Sequence, residues 1–220
     1  MPANPDQTPK ANAPANTAVN AATNGQSTRE NIVRKAAEVF NTQGFAGASI
    51  SDIMKATGLK KGGIYNHFTS KEQLWVESFT YAYKLVADYF DAAIAEHKDA
   101  VARLHSFVDC FRTYAEEPIM SGGCPLLNTA IESDSTNPVL RDAVRKAFDD
   151  LSGVIERVVQ KGIERGQLRK DVNAKQIASV FITVLEGGVM LSQLYDDPSH
   201  MDRVADHLAD YVDSQLRPAA

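Results

Sequence analysis

The sequence predicts an all-α protein of about nine helices, and three observations carry that prediction. Apolar residues recur at three- and four-residue spacing along nearly the whole chain after Thr28. Helix-ending and helix-starting signals separate these runs, among them Gly44, Gly58 and the Asn137–Pro138 pair. No run alternates apolar and polar residues as a half-buried strand does, and no hairpin turn is recognisable.

Composition narrows the class of protein. The 220 residues, 44% of them apolar, are enough to bury a sizeable core. The two cysteines are too few for a disulfide scaffold and favour a reducing cytoplasm. No secretory signal and no uncharged apolar run of about 18 residues is visible, so we expect no membrane-spanning helix.

Charge is distributed unevenly along the chain. The net charge is −5, yet residues 28–75 carry seven basic and four acidic side chains, and residues 76–220 carry fifteen basic and twenty-three acidic ones. This asymmetry suggests three segments: a tail (1–27), a basic front (28–75) and an acidic body (76–220). The tail is rich in Ala, Asn, Pro, Thr and Gln, and it is predicted to be disordered because it cannot bury enough apolar surface.

The front is predicted to hold a helix-turn-helix over residues 50–69. A first helix, with Ile32 and Phe40 on its apolar stripe, is followed by a second of about 51–57 whose N-cap is Ser49. The Gly58 turn then leads into a third helix of about 61–67. A capping box, in which Ser70 and Gln73 cap each other, opens a long fourth helix.

The third helix carries two adjacent glycines, Gly62 and Gly63, each costing roughly 1 kcal/mol relative to Ala. Close approach to a phosphate or a base edge would account for them. The whole block resembles the N-terminal domain of TetR-family transcriptional repressors. The matching residues are Ala36-Ala37-Glu38-Val39-Phe40, Gly44-Phe45, Ser49-Ile50-Ser51-Asp52-Ile53, Gly58-Leu59, Lys61-Gly62-Gly63-Ile64-Tyr65-Asn66-His67-Phe68 and Ser70-Lys71-Glu72-Gln73-Leu74.

This resemblance implies contacts with the DNA backbone. Tyr65, His67 and Lys71 would clamp phosphates and fix the register on the duplex. Ser49, at the N-terminus of the second helix, would add a further phosphate contact. Taken singly, Lys60, Lys61 and Lys71 would be ordinary solvated charges. Tyr65 and His67 would be half-buried packing residues with solvated tips.

The resemblance also implies which residues face the bases. Lys60, Lys61, Gly62, Gly63 and Asn66 would lie in the major groove, with Lys61 donating to guanine and Asn66 pairing with adenine. Three apolar residues would hold the unit together without touching DNA. They are Ile53, Ile64 and Phe68.

The body is predicted to pair two copies of the chain. A single helix-turn-helix grips few phosphates, and a dimer adds a second half-site on palindromic DNA. The last two long helices, about 173–195 and 198–216, are the expected interface, with Gly187–Gly188 allowing close approach. The alternative is that their apolar stripes pack only within one protomer.

The middle helices, about 70–165, would enclose a pocket for an unknown small-molecule effector. Phe111 and Tyr114 belong to an aromatic cluster there, although helical spacing alone also predicts core. Glu186, in an apolar stretch, would contact the effector, face solvent or cross the dimer interface. Cys124 begins a helix after Gly122–Gly123, where the helix N-terminus would lower the thiol pKa.

Cys124 also has two interpretations. Its Gly-Cys entry resembles that of TetR-family regulators that sense electrophiles or oxidants, and otherwise it is a small residue filling a tight corner. Cys110, in an apolar stripe, is expected to be an inert core thiol. No catalytic pattern, metal-ligand spacing or cofactor loop is recognisable, so we expect neither enzyme chemistry nor a cofactor.

The sequence therefore predicts a cytoplasmic, homodimeric DNA-binding regulator. A repressor released from palindromic operator DNA by a small molecule, or by modification of Cys124, fits these patterns best. One alternative is an all-α small-molecule-binding protein or enzyme that kept a relic helix-turn-helix. Another is an activator or global regulator.

Overall fold

A computed structural model describes the backbone of residues 15–133 and 137–218, with side chains described from Ser27 onward. This part of the chain forms nine α-helices and no strand, which confirms the predicted all-α class. The helices, in chain order, are α1 (Ala15–Gly47), α2 (Ile50–Thr57), α3 (Lys61–Tyr65), α4 (Lys71–Ala95), α5 (Ala100–Glu116), α6 (Pro125–Ser133), α7 (Pro138–Glu164), α8 (Ala174–Tyr195) and α9 (Ser199–Tyr211). A π-helical turn, Val212–Leu216, follows α9.

The first helix begins earlier than predicted. Residues 15–27 continue α1, so the expectation of disorder is wrong for this part of the tail, and residues 1–14 lie outside the described residues. Extending a helix that is already nucleated adds one hydrogen bond for each residue fixed. At its other end α1 breaks at Gly44, whose φ of 69° and ψ of 171° are not helical.

The N-terminal head, α1 to α3, closes around an apolar centre. Ile32, Ile53, Ile64 and Phe68 are all buried there, as the sequence predicted for the last three. The long helix α4 packs along α1 and continues into the body, so it belongs to both halves. Its N-cap is Ser70, as predicted.

The capping box at this point differs from the prediction in one bond. The Ser70 hydroxyl accepts from Gln73 N–H at 3.1 Å, but the Gln73 amide oxygen accepts from the backbone N–H and the hydroxyl of Thr69. The side chain of Gln73 thus reaches one residue further back than a reciprocal box requires.

An aromatic cluster fills the centre of the body. Phe90 lies 4.7 Å from Phe111 and 5.1 Å from Phe107, measured between ring centroids. Tyr114 is also buried, and its hydroxyl donates to the Gly123 carbonyl at 3.1 Å. The predicted effector contacts Phe111 and Tyr114 are therefore packed core residues, because neighbouring side chains already fill the space around them.

Helix α8 is the most apolar element of the body. By length and composition α8 is the one helix among the described residues that could cross a membrane. Half of its apolar stretch is buried inside the protein. It packs against α5, α7 and α9. A Cβ atom at Gly188 would lie 2.8 Å from the Met201 sulfur, so this glycine serves the α8–α9 contact within the protomer rather than the dimer interface.

Candidate nucleic-acid interface

Local signals fix the helix-turn-helix at both ends of α2. The Ser49 hydroxyl accepts from Asp52 N–H, and Asp52 accepts in turn from Ser49 N–H, which completes a capping box. At the other end Gly58 takes the left-handed conformation, with φ 72° and ψ 7°. Few other residues adopt this conformation without strain, so Gly58 sets the direction in which α3 leaves the turn.

Helix α3 presents a polar, positively charged face to solvent. Lys60, Lys61, Tyr65 and Asn66 are exposed, and Tyr65 keeps 41% of its surface accessible. Within the side chains that the structure describes, Lys60 and Lys61 have no ion pair and Asn66 has no side-chain hydrogen bond. The Lys61 ammonium lies 5.8 Å from the centre of the Tyr65 ring. This face is therefore free to bind an anionic surface.

The protein's own packing does not require glycine at positions 62 and 63. Neither residue has a positive φ, a Cβ atom at Gly62 would meet nothing within 4 Å, and one at Gly63 would make only ordinary contact with Leu59. The helix thus carries two poor helix formers without an intramolecular reason. Close approach of an external surface to the backbone of this helix would account for the two glycines.

We expect the Gly62→Ala variant to separate stability from DNA binding. Alanine should stabilise the folded chain by roughly 0.5–1 kcal/mol, because it is the better helix former. The same methyl group would occupy space next to the duplex, so DNA affinity should fall about tenfold, a loss of about 1.4 kcal/mol. Urea unfolding and fluorescence anisotropy with labelled DNA would measure the two effects.

Gly153→Ala is the matched control for Gly62→Ala. Gly153 lies in α7, where a Cβ atom would press only on the mobile end of Arg157, at 3.0 Å. This variant should change DNA affinity by less than twofold. Undiminished DNA affinity in Gly62→Ala would contradict the close approach.

Two of the predicted phosphate clamps already have partners within the protein. The Lys71 ammonium donates to the Phe45 carbonyl and lies 4.0 Å from the centre of the Phe45 ring. The Asp52 carboxylate accepts from the Ser49 hydroxyl at 2.5 Å, and this hydrogen bond is the main reason that the pKa of Asp52 is lowered. Contacts of Ser49 and Lys71 with DNA stay predictions. The His67 side chain is half-buried, and its backbone N–H donates to the Ile64 carbonyl.

A joint of hydrogen bonds connects the head to the body. We define the joint as Asn41 and Gly44–Phe45 on α1 with residues 121–123, Asn128 and Glu132 around α6. The Asn41 amide donates to the carbonyls of Ser121 at 2.8 Å and Gly123 at 2.9 Å. The Phe45 N–H donates to the Glu132 carboxylate at 2.6 Å.

Glycine is required at this joint by close approach and by backbone conformation. Gly122 has φ 97°, and a Cβ atom there would lie 2.5 Å from the Asn41 carbonyl oxygen. At Gly44 a Cβ atom would collide with the Glu132 carboxylate. The Asn128 amide closes the joint by donating to Gly122 O at 2.6 Å and to Asn41 O at 3.3 Å. These contacts hold the head against the body.

A buried thiol–carboxylate pair lies behind the joint. The Cys124 thiol donates to the Glu186 carboxylate, with Sγ 3.1 Å from Oε1, and both residues are 5% exposed. Burial, followed by the nearby Glu186 charge, raises the Cys124 pKa well above its ordinary value. The predicted low-pKa thiolate is therefore wrong, because burial outweighs the backbone hydrogen bonds at the start of α6.

Two further expectations concern Glu186 and Cys110. Glu186 does not face solvent: it points into the protomer toward Cys124. Burial raises its pKa to about 7. Cys110 is a buried thiol, as predicted, and burial raises its pKa to about 11.

Comparison with known proteins agrees with this architecture. The family model for bacterial regulatory proteins of the tetR family matches residues 32–77, and the model for the tetracyclin repressor-like C-terminal domain matches residues 100–208. A TetR transcriptional regulator from Chloroflexus aurantiacus J-10-fl is 48% identical, with a TM-score of 0.87, over 90% of this chain and 100% of that chain. The chain belongs to the TetR family.

Two more distant proteins are also similar. The HTH-type transcriptional repressor DhaR of Mycobacterium sp. strain GP1 is 24% identical over 80% of this chain and 87% of its own length. A cysteine mutant of the TetR-family regulator CifR, solved with 26-base-pair operator DNA, is 19% identical with a TM-score of 0.73, over 86% of this chain and 96% of that chain. As a TetR-family member this chain is a helix-turn-helix transcriptional regulator, which confirms the function predicted from its front.

The TetR-family body leaves one face of α8 uncovered. Four apolar or small residues at helical spacing, Val180, Gly187, Met190 and Leu194, point away from the protomer, and Leu194 is 71% exposed. A Cβ atom at Gly187 would meet nothing within 4 Å. This uncovered face is where the sequence predicted dimerisation, with Gly187 but not Gly188 available to it.

The joint is not predictable from the sequence. Asn41, Asn128 and Glu132 are polar residues without a motif, and their partners lie more than 80 residues away or in a neighbouring turn. The one local signal is the Gly122–Gly123 pair, which by itself indicates only the start of a helix.

Proposed function

We propose that this TetR-family regulator is a homodimeric repressor, with α3 of each protomer in the major groove of one half of a palindromic operator. The observation that carries the proposal is the free cationic face of α3 beside the open backbone of Gly62. CifR, which shares the fold, has been solved with operator DNA, and this supports operator binding here. In such dimers the half-sites lie about 34–36 Å apart or a multiple of that distance.

Roles within the interface follow from the exposed groups. Lys61 would donate to guanine and Asn66 would pair with adenine, because these side chains match those base edges. Tyr65 and His67 would hold phosphates and fix the register. Lys60 would add charge at the groove.

The double variant Lys61→Ala plus Tyr65→Ala tests these roles. We expect it to lose about 100-fold in affinity for DNA upstream of its own gene, because one base contact is worth about 1–3 kcal/mol and a phosphate contact adds to it. The slope of log affinity against log salt should also become shallower by about 1. Fluorescence anisotropy at several salt concentrations measures both quantities.

Lys146→Ala is the matched control for this variant. Lys146 is similarly exposed but lies on α7 and pairs with Asp150 at 2.6 Å, so its loss should leave the salt slope unchanged. Wild-type affinity in the double variant would refute the assignment of α3 as the reading helix.

Release from DNA is proposed to follow the binding of a small molecule in the body. A ligand that favours one arrangement of the heads by about 1.4–2.7 kcal/mol changes operator affinity by 10- to 100-fold, and DNA must oppose that ligand equally. The joint between α1 and α6 would carry this change. We place the protein in the cytoplasm, where bacterial DNA lies, and we do not propose the enzyme alternative, because the relatives are regulators.

A further inference from the structure

The Glu186 carboxylate is incompletely satisfied. Its Oε1 accepts the Cys124 thiol, whereas its Oε2 is buried without a hydrogen-bond partner among the described residues. No described cation lies within ion-pair distance of either oxygen. A buried charge without a counter-ion is costly, and the least costly remedy for a carboxylate is to bind a proton.

Among the described residues, two titratable groups face Glu186, and both are uncharged at neutral pH. Cys124 faces it from the start of α6, and Tyr114 faces it from α5, with a pKa that burial and these neighbours raise. No charged side chain of α7 or α9 contributes to the Glu186 pKa. Burial therefore places that pKa at about 7, where small changes of pH change the charge of the site.

The position of the pair links this proton to the head. Cys124 follows Gly123, and the Gly123 carbonyl accepts both the Tyr114 hydroxyl and the Asn41 amide. Asn41 lies on α1, three residues before the break at Gly44 that leads into α2. The Gly123 carbonyl thus connects the residue next to Cys124 with α1, along a path by which a displacement of Cys124 would reach the head.

We propose that Glu186 is a proton-binding site that regulates DNA affinity through Cys124 and the joint. With Oε2 protonated, the pair is neutral, residues 121–124 stay seated on Asn41, and the head is held rigidly. With Glu186 ionised, the uncompensated charge favours arrangements in which α6 shifts and the head loosens, which weakens operator binding. The inference rests on the proposed DNA binding for its readout.

The test compares operator affinity between pH 6.0 and 8.5, at constant ionic strength, for wild type and Glu186→Gln. Glutamine keeps an oxygen for the Cys124 thiol but stays neutral at every pH. We expect the wild type to lose about tenfold more affinity than the variant over this range. Effects of pH on the DNA-contacting surface are common to both proteins and cancel in this comparison. Asp88→Asn, an exposed α4 variant, should follow the wild type.

Parallel pH profiles of wild type and Glu186→Gln, or a wild type that gains affinity relative to the variant at high pH, would overturn the proton site. Absence of specific DNA binding at every pH would instead refute the proposed function. The route is tested by repeating the comparison with Asn41→Ala in both proteins, which should reduce the tenfold difference to less than twofold. A difference that persists in full would exclude the joint as the connection.

Discussion

Replacing Met190 and Leu194 together by glutamate should make this regulator monomeric and reduce its operator affinity by more than 100-fold. The two side chains are 45% and 71% exposed on the uncovered face of α8. Four carboxylates would meet at a two-fold interface, where like charges repel and apolar contact is lost. A monomer keeps one half-site only, and its affinity falls toward the non-specific level.

Sedimentation velocity at micromolar concentration would measure the loss of the dimer, and anisotropy would measure the loss of DNA binding. The matched control is Ile131→Glu. Ile131 is as exposed as Leu194, at 69%, but lies on α6. It should leave both quantities unchanged. A double variant that still sediments as a dimer would show that another surface joins the protomers.

The head was predicted from sequence largely because its signals are local. Ser49 with Asp52, and Gly58 in its turn, fix α2 through contacts within a few residues. Such contacts can be inferred from spacing alone. The resemblance over residues 29–75 added the roles of the α3 residues, which local propensity could not supply because propensity disfavours Gly62 and Gly63.

Predictions for the body failed where burial decides the chemistry. Cys124 does lie at the start of a helix, as predicted, but its pKa depends on Glu186, which is 62 residues away in sequence. Helical spacing identified Phe111 as apolar-facing, yet it does not say whether the facing space is filled or empty. Long-range packing fixes both properties, so a single sequence does not reveal them.

The stability of the protein should fall between pH 5 and pH 8, and Glu186→Gln should remove most of that fall. The folded-state pKa of Glu186 is raised from 4.5 to about 7, so between these values the folded chain holds a proton that the unfolded chain has lost. The stabilisation of the folded state that Glu186 contributes is therefore fully present below about pH 4.5 and is lost as pH rises through 7.

The expected size of this effect follows from the shift itself. One pKa unit corresponds to 1.36 kcal/mol, so the advantage of Glu186→Gln over wild type should grow by about 2.5 kcal/mol between pH 5 and pH 8. Urea unfolding at equal protein concentration measures it, with Asp88→Asn as a control expected to track the wild type. A constant gap between wild type and Glu186→Gln would mean that Glu186 is not held neutral by burial. It would also remove the physical basis for a proton site behind the joint, whatever the operator affinity does.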